Sequence, residues 1–363
     1  MEFREDGPKQ DGPKQDGLKQ DRFKQDGLKE GGMGKERLRI YFAIAFGLPV
    51  LLGIFMGIGY RRGEEAAVAL FPVVWMYLPA TAVMAGALYA RHKEKQTPAL
   101  PLAFYLTFLI GTAGMVLLTV WNVFFPSMTN VALVNYAMML LSLICLAELL
   151  ALGKERREAY GLSFTQNGKK SLAGIGLFVV IYLLLTGVSI GISLLSGADS
   201  GALSWNPAWP VWLFGIMPLN LVLSFTAFLG EEYGWRYYLQ PVLQEKLGPK
   251  RGVILLGLLW GIWHLPINLF YYSPDTALQS VLVQLAGCVG MAVFFGWVYL
   301  RTGNVWAVTV IHFLNNNLGT ALFGVSAAGV TRQWGDTVVT ILLYLAVYLP
   351  FLWTREYREK KPV

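Results

Sequence analysis

Long apolar runs separated by short polar connections dominate the chain after its first 39 residues. About 20 consecutive apolar residues are enough to cross the hydrocarbon core of a bilayer as a helix. The runs are continuously apolar, whereas the strands of a membrane barrel alternate between apolar and polar residues. The pattern therefore predicts an all-α fold, a polytopic transmembrane helical bundle of about ten spans. The predicted spans lie at residues 40–60, 66–90, 101–125, 131–152, 172–195, 210–230, 252–270, 281–300, 304–321 and 338–353.

Polar segments divide these spans into regions. The first 39 residues contain a five-residue repeat, DGPKQ and its variants, which cannot bury enough apolar surface to become ordered. We therefore expect a disordered low-complexity tail there. The predicted regions are this cytoplasmic tail (1–39), a four-helix N-terminal membrane region (40–152), a basic cytoplasmic loop (153–171), a six-helix membrane region (172–353) with a core at 210–321 that carries the candidate site, and a basic cytoplasmic tail (354–363).

The distribution of charge indicates an orientation. The chain has 30 Lys and Arg against 23 Asp and Glu, a formal net charge of +7, and a mean hydropathy of +0.47. Lys and Arg prefer cytoplasmic loops, and ten spans with both termini inside leave only three cations on the opposite side: Arg61, Arg62 and Arg332. We expect an integral protein of a bacterial plasma membrane, with both termini cytoplasmic. The expected partners include the lipid bilayer and exclude nucleic acid.

Glu231, Glu232 and Arg236 follow directly on the sixth predicted span, in the sequence LGEEYGWRYYLQ. If the helix continues past Gly230, Glu232 and Arg236 are i, i+4 neighbours with the acid first, the better orientation for an ion pair. Glu231 lies about 100° further round the helix and is free of that partner, which suits a general base. Pro241 predicts an end or a kink of this helix.

Two further spans carry polar groups that lipid should exclude. His264 lies near the middle of the seventh span, where Pro266 should loosen the helical hydrogen bonds, and Gly257 and Gly261 predict a close helix–helix contact. On the ninth span, His312 and Asn316 are i, i+4 and share a face. Each motif has a structural explanation: charges that end a helix at the interface, or polar groups that join neighbouring helices. Three such motifs within 210–321 favour one shared polar cavity instead.

These motifs resemble those of the type II CAAX prenyl protease family, also called the CPBP or Abi family of intramembrane proteases. The family carries EExxxR, an aromatic-xxx-His and HxxxN on successive transmembrane helices, and the matching residues here are Glu231, Glu232 and Arg236, Trp260 and His264, and His312 and Asn316. Trp260 stands where Phe is common, which we take as a conservative departure. The resemblance covers residues 210–321, roughly a third of the chain.

The resemblance implies an intramembrane endopeptidase, with Glu231 and His264 activating water and His312 and Asn316 stabilising the oxyanion. Glu232 and Arg236 would support the helix and tune Glu231. A Glu beside a His can accept and relay a water proton, and imidazole and amide N–H groups suit a tetrahedral oxyanion. Members of the family are often described as metalloproteases, and Glu231, His264 and His312 are the alternative zinc ligands. We favour the reading without a cofactor, because His312 paired with Asn316 suits an oxyanion site.

The expected substrate is a peptide or a membrane protein, reached from a site within the bilayer that opens toward the cytoplasm. The resemblance implies one of two substrates: a prenylated CAAX C-terminus, or a bacterial peptide such as a bacteriocin leader. The positive-inside charge pattern and the polar repeat tail fit a bacterial plasma membrane, and they favour processing of a peptide or a membrane protein. Two other classes stay open. One is a proton-coupled transporter, in which the Glu and His groups carry protons. The other is a non-catalytic immunity or scaffolding protein that keeps the fold.

Overall fold

The computed structural model describes residues 33–91, 99–195, 205–325 and 328–358, and these residues are helical without a single β-strand. Within those ranges seven helices are long and apolar enough to cross a membrane, or nine if each of two bent pairs is one span. The long helices are α1 (Gly34–Arg61), α4 (Leu102–Phe124), α5 (Met128–Ala151), α7 (Gly168–Ile192), α8 (Trp209–Leu247), α11 (Pro274–Thr302) and α13 (Trp334–Trp353). The bent pairs are α2 (Glu65–Trp75) with α3 (Leu78–Arg91), and α9 (Pro249–Trp263) with α10 (Leu265–Tyr272). Two further helices are α6 (Lys154–Ala159) and α12 (Val305–Phe323).

All ten predicted spans coincide with helical segments, which confirms the all-α membrane bundle. The ninth predicted span is α12, which is 19 residues long but less apolar than the others because His312 and three consecutive Asn residues interrupt it. Residues 1–32 of the predicted tail lie outside the described residues. Its last part, residues 34–39, belongs to α1, because the sequence GKERLR consists mainly of strong helix formers.

Helices α8 and α9 form an antiparallel hairpin around Gly248. This residue has φ +79°, a conformation that glycine adopts without strain, and α9 begins at the next residue. Glu231 precedes the end of α8 by 16 residues, and His264 follows the start of α9 by 15. At 1.5 Å per residue both lie about 23 Å from the hairpin tip. The hairpin therefore brings the first two predicted motifs to the same level.

The helix α8 does not end at Pro241, so the first of the two outcomes predicted there, an end of the helix, is wrong. A π-helical segment spans Tyr233–Leu239, and the chain continues through the proline to Leu247. The wider π turn pairs the N–H of Gln240 with the carbonyl of Trp235, five residues earlier. A helix that already departs from the i→i−4 pattern there can accept a residue without an N–H.

Glycines let α11 and the break between α2 and α3 approach the motif segments closely. A Cβ on Gly257 would lie 2.6 Å from the Cα of Val289, and one on Gly261 would lie 3.0 Å from the Cα of Leu285, so α9 packs directly on α11 as predicted. A second close helix contact was not predicted from the sequence. A Cβ on Gly230 would lie 2.5 Å from the Met76 carbonyl oxygen, at the break between α2 and α3. The break between α2 and α3 therefore packs directly against the residue that precedes Glu231 and Glu232.

The loop predicted at 153–171 is more than a connection. The Tyr233 hydroxyl donates to the Tyr160 carbonyl at 2.9 Å, and the indole of Trp306 donates to the Leu162 carbonyl at 3.0 Å. The side chain of Asn304 donates to the Gln166 carbonyl at 2.9 Å. The loop is thus bonded to the helices that carry the first and third motifs, α8 and α12.

Candidate active site

Glu231 is a buried carboxylate held by two indoles. Its Oε2 accepts the Trp260 Nε1–H at 2.7 Å and the Trp235 Nε1–H at 3.2 Å. Trp235 lies one turn further along α8, whereas Trp260 comes from α9. Only 2% of Glu231 is exposed. Both donors favour the ionised carboxylate, because a carboxylate in a dry interior needs hydrogen-bond donors in place of water.

Glu232 forms a separate network with Arg236 and His312. Its Oε2 accepts the Arg236 Nε–H at 2.8 Å, the ion pair that the i, i+4 spacing predicted, and both side chains are fully buried. Its Oε1 lies 2.8 Å from His312 Nδ1. The guanidinium of Arg236 also lies over the rings of Trp260 and Phe295, at 5.1 and 5.3 Å from their centroids. Aromatic faces therefore stabilise the cation where water does not reach it.

His264 lies at the break between α9 and α10, where the helix axis bends by 41°. Its backbone has φ −82° and ψ 0°, outside the regular helical region, and Pro266 follows two residues later. The predicted loosening is therefore confirmed. Its Nδ1 lies 2.8 Å from the Trp260 carbonyl oxygen. Since a carbonyl only accepts, Nδ1 carries the proton, and in the neutral ring the lone pair is on Nε2.

Trp260 lies between the two networks. Its ring centroid is 6.0 Å from that of His264 and 5.6 Å from that of His312, in addition to its contacts with Glu231 and Arg236. The expectation that Trp260 is a conservative replacement of Phe is wrong in one respect. Phe would keep the ring but lacks the N–H that bonds Glu231.

The structure brings five of the six predicted residues together and leaves Asn316 apart. His264 and His312 are 7% and 4% exposed, whereas Asn316 is exposed, one turn further along α12. Its Oδ1 accepts from the Asn315 amide at 3.0 Å, and no contact described here joins it to the carboxylates or the imidazoles. Asn316 thus lies outside the buried cluster.

Three residues that contact this site were not predicted from the sequence. Trp235 is i+4 from Glu231, so the spacing rule that found Arg236 also applied to it. Cys288 Sγ lies 4.0 Å from His264 Nδ1, and α11 carries no polar motif in sequence that points to this contact. The third is Phe295, whose ring lies 5.9 Å from that of His312.

The zinc alternative requires three ligands that converge on one point. Within the described ranges no group of three His, Cys, Asp or Glu side chains is arranged to hold a metal ion, so Glu231, His264 and His312 do not fit such a site. In addition, both indole donors act on the same carboxylate that would serve as a ligand.

Comparisons with known proteins agree with the motifs. Residues 210–318 match the sequence model of a family described as type II CAAX prenyl endopeptidase, Rce1-like. The chain is 27% identical over 144 residues to CAAX prenyl protease 2 of Methanococcus maripaludis, a match that covers 38% of this chain and 50% of that relative. The chain thus spans half the length of the curated relative. Both findings confirm the resemblance inferred from the three motifs, and together with the long apolar helices they identify an integral membrane protein.

Proposed function

We propose that this protein is an intramembrane endopeptidase in which Glu231 and His264 activate a water molecule for attack on a peptide bond. The observation that carries the proposal is the arrangement around Trp260. One side chain contacts the Glu231 carboxylate and the rings of both histidines, which come from three different helices. A buried carboxylate next to two imidazoles is what hydrolysis by activated water requires.

The two activating groups have complementary roles. Glu231 uses Oε2 for the indoles, so Oε1 is the oxygen that takes the water proton. His264 gives its Nδ1–H to the Trp260 carbonyl, and Nε2 therefore accepts a hydrogen bond from the same water and orients it. The water oxygen then attacks the carbonyl carbon of the substrate. Positioning of this kind replaces an improbable encounter in solution by a prepared one.

His312 supplies a donor to the oxyanion. Its Nδ1–H is directed to Glu232, so a second donor exists only if Nε2 is also protonated. In the proposed mechanism His312 acts as an imidazolium, which adds a second cation beside the buried Glu232–Arg236 ion pair. Asn316, exposed one turn further along α12, is the second proposed donor to the oxyanion. One such donor contributes on the order of 3 kcal/mol to the transition state.

Collapse of the tetrahedral intermediate completes the reaction. The proton held by Glu231 passes to the nitrogen of the leaving group, the C–N bond breaks, and the carbonyl reforms as a carboxylic acid. Glu231 returns to its ionised state, so the protein needs no further reactant. This sequence uses one water for each bond that is cleaved.

The substrate we propose is a peptide or a membrane protein that enters from the cytoplasmic side of a bacterial plasma membrane. A prenylated CAAX C-terminus is one form, since the matched relative is named for it. A bacterial peptide precursor, such as a bacteriocin leader, is the other. Both present a scissile bond close to a membrane-bound segment, which suits a site formed by membrane-spanning helices.

The test compares the purified wild type with Glu231→Gln, His264→Ala and His312→Ala in lipid vesicles. Cleavage of a panel of prenylated and unmodified peptides is followed by mass spectrometry, and proton flux is recorded in the same vesicles. We expect nearly complete loss of cleavage for the first two variants, a large loss for the third, and no flux dependent on Glu231. Proton flux without peptide cleavage in the wild type would contradict the protease proposal and support a proton-coupled transporter.

A further inference from the structure

Two indole N–H groups converge on one oxygen of Glu231. Trp260 donates from α9 at 2.7 Å and Trp235 from α8 at 3.2 Å, both to Oε2. Each tryptophan is itself fixed: Trp235 is fully buried and Trp260 is 3% exposed. A helix that only has to cross a membrane does not require a tryptophan at either position. The convergence of two donors on a single carboxylate oxygen therefore needs a reason of its own.

We infer that Trp235 and Trp260 are positioning residues that orient Glu231, so that Oε1 alone faces the reacting water. The inference rests on the proposed function. A carboxylate on a flexible side chain can rotate and exchange its two oxygens, and the paired donors remove that freedom. Because hydrogen bonds to a charged group are about twice as strong as neutral ones, two of them are sufficient to hold one rotamer.

The ring and the N–H of Trp260 have separable effects. The ring lies under the Arg236 guanidinium and beside both histidines, contacts that a phenylalanine also makes. The N–H bonds only Glu231. A Phe at position 260 therefore retains the packing and removes the orientation of the base. Trp235 gives the same separation on α8, where its ring packs edge-on against Trp263.

Other groups around Glu231 do not substitute for the indoles. Electrostatic neighbours come from five helices: Glu232 on its own helix, His312 on α12, Cys288 on α11, Tyr41 on α1 and Tyr272 on α10. Among the residues that the structure describes, the hydrogen bonds to its carboxylate come from the two tryptophans alone. Loss of one indole therefore leaves a single donor.

The chain contains matched controls. Trp263 is also a buried tryptophan. Its ring packs on His264 and Trp235, a contact that phenylalanine keeps, and its indole donates to the Ala45 carbonyl at 2.8 Å, away from Glu231. Trp75 is fully buried, and its Nε1 is without a hydrogen-bond partner in the described part of the chain. Trp263→Phe thus removes a hydrogen bond that does not reach the base, and Trp75→Phe removes none.

A spectroscopic experiment tests the contacts without any assay of activity. The full-length protein, labelled with ¹⁵N at its 12 tryptophans, shows indole N–H resonances in detergent micelles. Trp235→Phe, Trp260→Phe and Trp263→Phe assign three of them. We expect Glu231→Gln to shift the Trp235 and Trp260 resonances and to leave that of Trp263 in place. Equal positions of all three resonances in the wild type and in Glu231→Gln would overturn the inference.

A kinetic experiment tests the role in catalysis. We expect Trp235→Phe and Trp260→Phe to lower kcat about tenfold each, because a charge-assisted hydrogen bond that fixes the base is lost, with KM within twofold of the wild type. Trp263→Phe and Trp75→Phe should keep kcat within twofold. If all four variants lose kcat equally, the tryptophans act only through folding and the inference fails. If Glu231→Gln itself cleaves at the rate of the wild type, the proposed function fails instead, whatever the resonances show.

Discussion

Glu232 and His312 are joined by a 2.8 Å contact between Oε1 and Nδ1, although 80 residues separate them in sequence. The other oxygen of the same carboxylate accepts from Arg236. Glu232 thus links α8 to α12 and fixes which nitrogen of His312 faces the rest of the site. Of the two adjacent acids, Glu232 bonds Arg236 and His312 and Glu231 is held by indoles, and this difference supports the separate roles proposed for them.

The first prediction concerns the loss of this link. Glu232→Gln keeps the shape of the side chain but leaves the Arg236 cation buried without its counter-charge, which costs about 3 to 5 kcal/mol. We expect the thermal unfolding temperature in micelles to fall clearly. Glu245→Gln, on an exposed turn of the same helix, is the control and should leave it unchanged. Equal stability of the two variants would show that the ion pair contributes nothing.

A second prediction separates Asn316 from its neighbour Asn317. Asn316 is exposed next to the buried cluster, whereas the Asn317 amide donates to the Phe313 carbonyl of its own helix. If Asn316 donates to the oxyanion, Asn316→Ala should lower kcat about a hundredfold and leave KM nearly unchanged. Asn317→Ala should have less than a threefold effect on kcat. The opposite order, measured by initial rates on one peptide, would remove Asn316 from the mechanism.

The third prediction tests the close contact behind the acidic motif. A Cβ on Gly230 would lie 2.5 Å from the Met76 carbonyl oxygen and 3.0 Å from the Tyr77 Cα, both backbone atoms that cannot move aside. We expect Gly230→Ala to destabilise the fold by about 1 to 3 kcal/mol, the usual range for overpacking. Gly187→Ala on α7, where nothing lies within 4 Å of the added atom, is the control. The unfolding temperatures of the two variants are compared. A fall for Gly230→Ala alone supports the close contact, and equal temperatures contradict it.

The fourth prediction concerns pH and the end of the chain. Burial raises the pKa of Glu356, but hydrogen bonds from its own backbone and from Arg355, with the charge of Arg301, hold the pKa below its usual value. A lowered pKa in the folded state stabilises the protein above the unfolded value of about 4.3, and this stability is lost as the pH falls through the folded value.

The corresponding experiment compares the wild type with Glu356→Gln. We expect the wild type to have the higher unfolding temperature at pH 7, and the difference to close at acid pH, below the usual glutamate value. A difference that is the same at every pH would mean that the charge of Glu356 has no part in the stability of this segment.

Much of the fold could be predicted from the sequence, because membrane helices are specified locally. The apolar runs located all ten helical segments, and the i, i+4 rule gave the Glu232–Arg236 pair. The close helix contact at Gly257 and Gly261 was likewise predicted from spacing, although not that α11 is the partner. Each of these depends on residues within one helix, or on a single face of it.

The relationships that sequence reasoning missed join residues far apart in the chain. The contact of Glu232 with His312 and that of Glu231 with Trp260 depend on how α8, α9 and α12 meet, which no local pattern encodes. The course of the helix through Pro241 depended on a π-helical turn that has no simple sequence signal. The role of Trp235 is different, since its spacing from Glu231 was readable but was not used.

The most direct test of the central claim is the cleavage rate of metal-depleted protein. The wild type and Glu231→Gln are treated with a strong chelator, their metal content is measured, and both are assayed on one peptide substrate. We predict that the depleted wild type keeps its rate and that Glu231→Gln is slower by at least a hundredfold, the contribution expected of a general base. Loss of activity on depletion with recovery on adding zinc, or full activity of Glu231→Gln, would contradict the account.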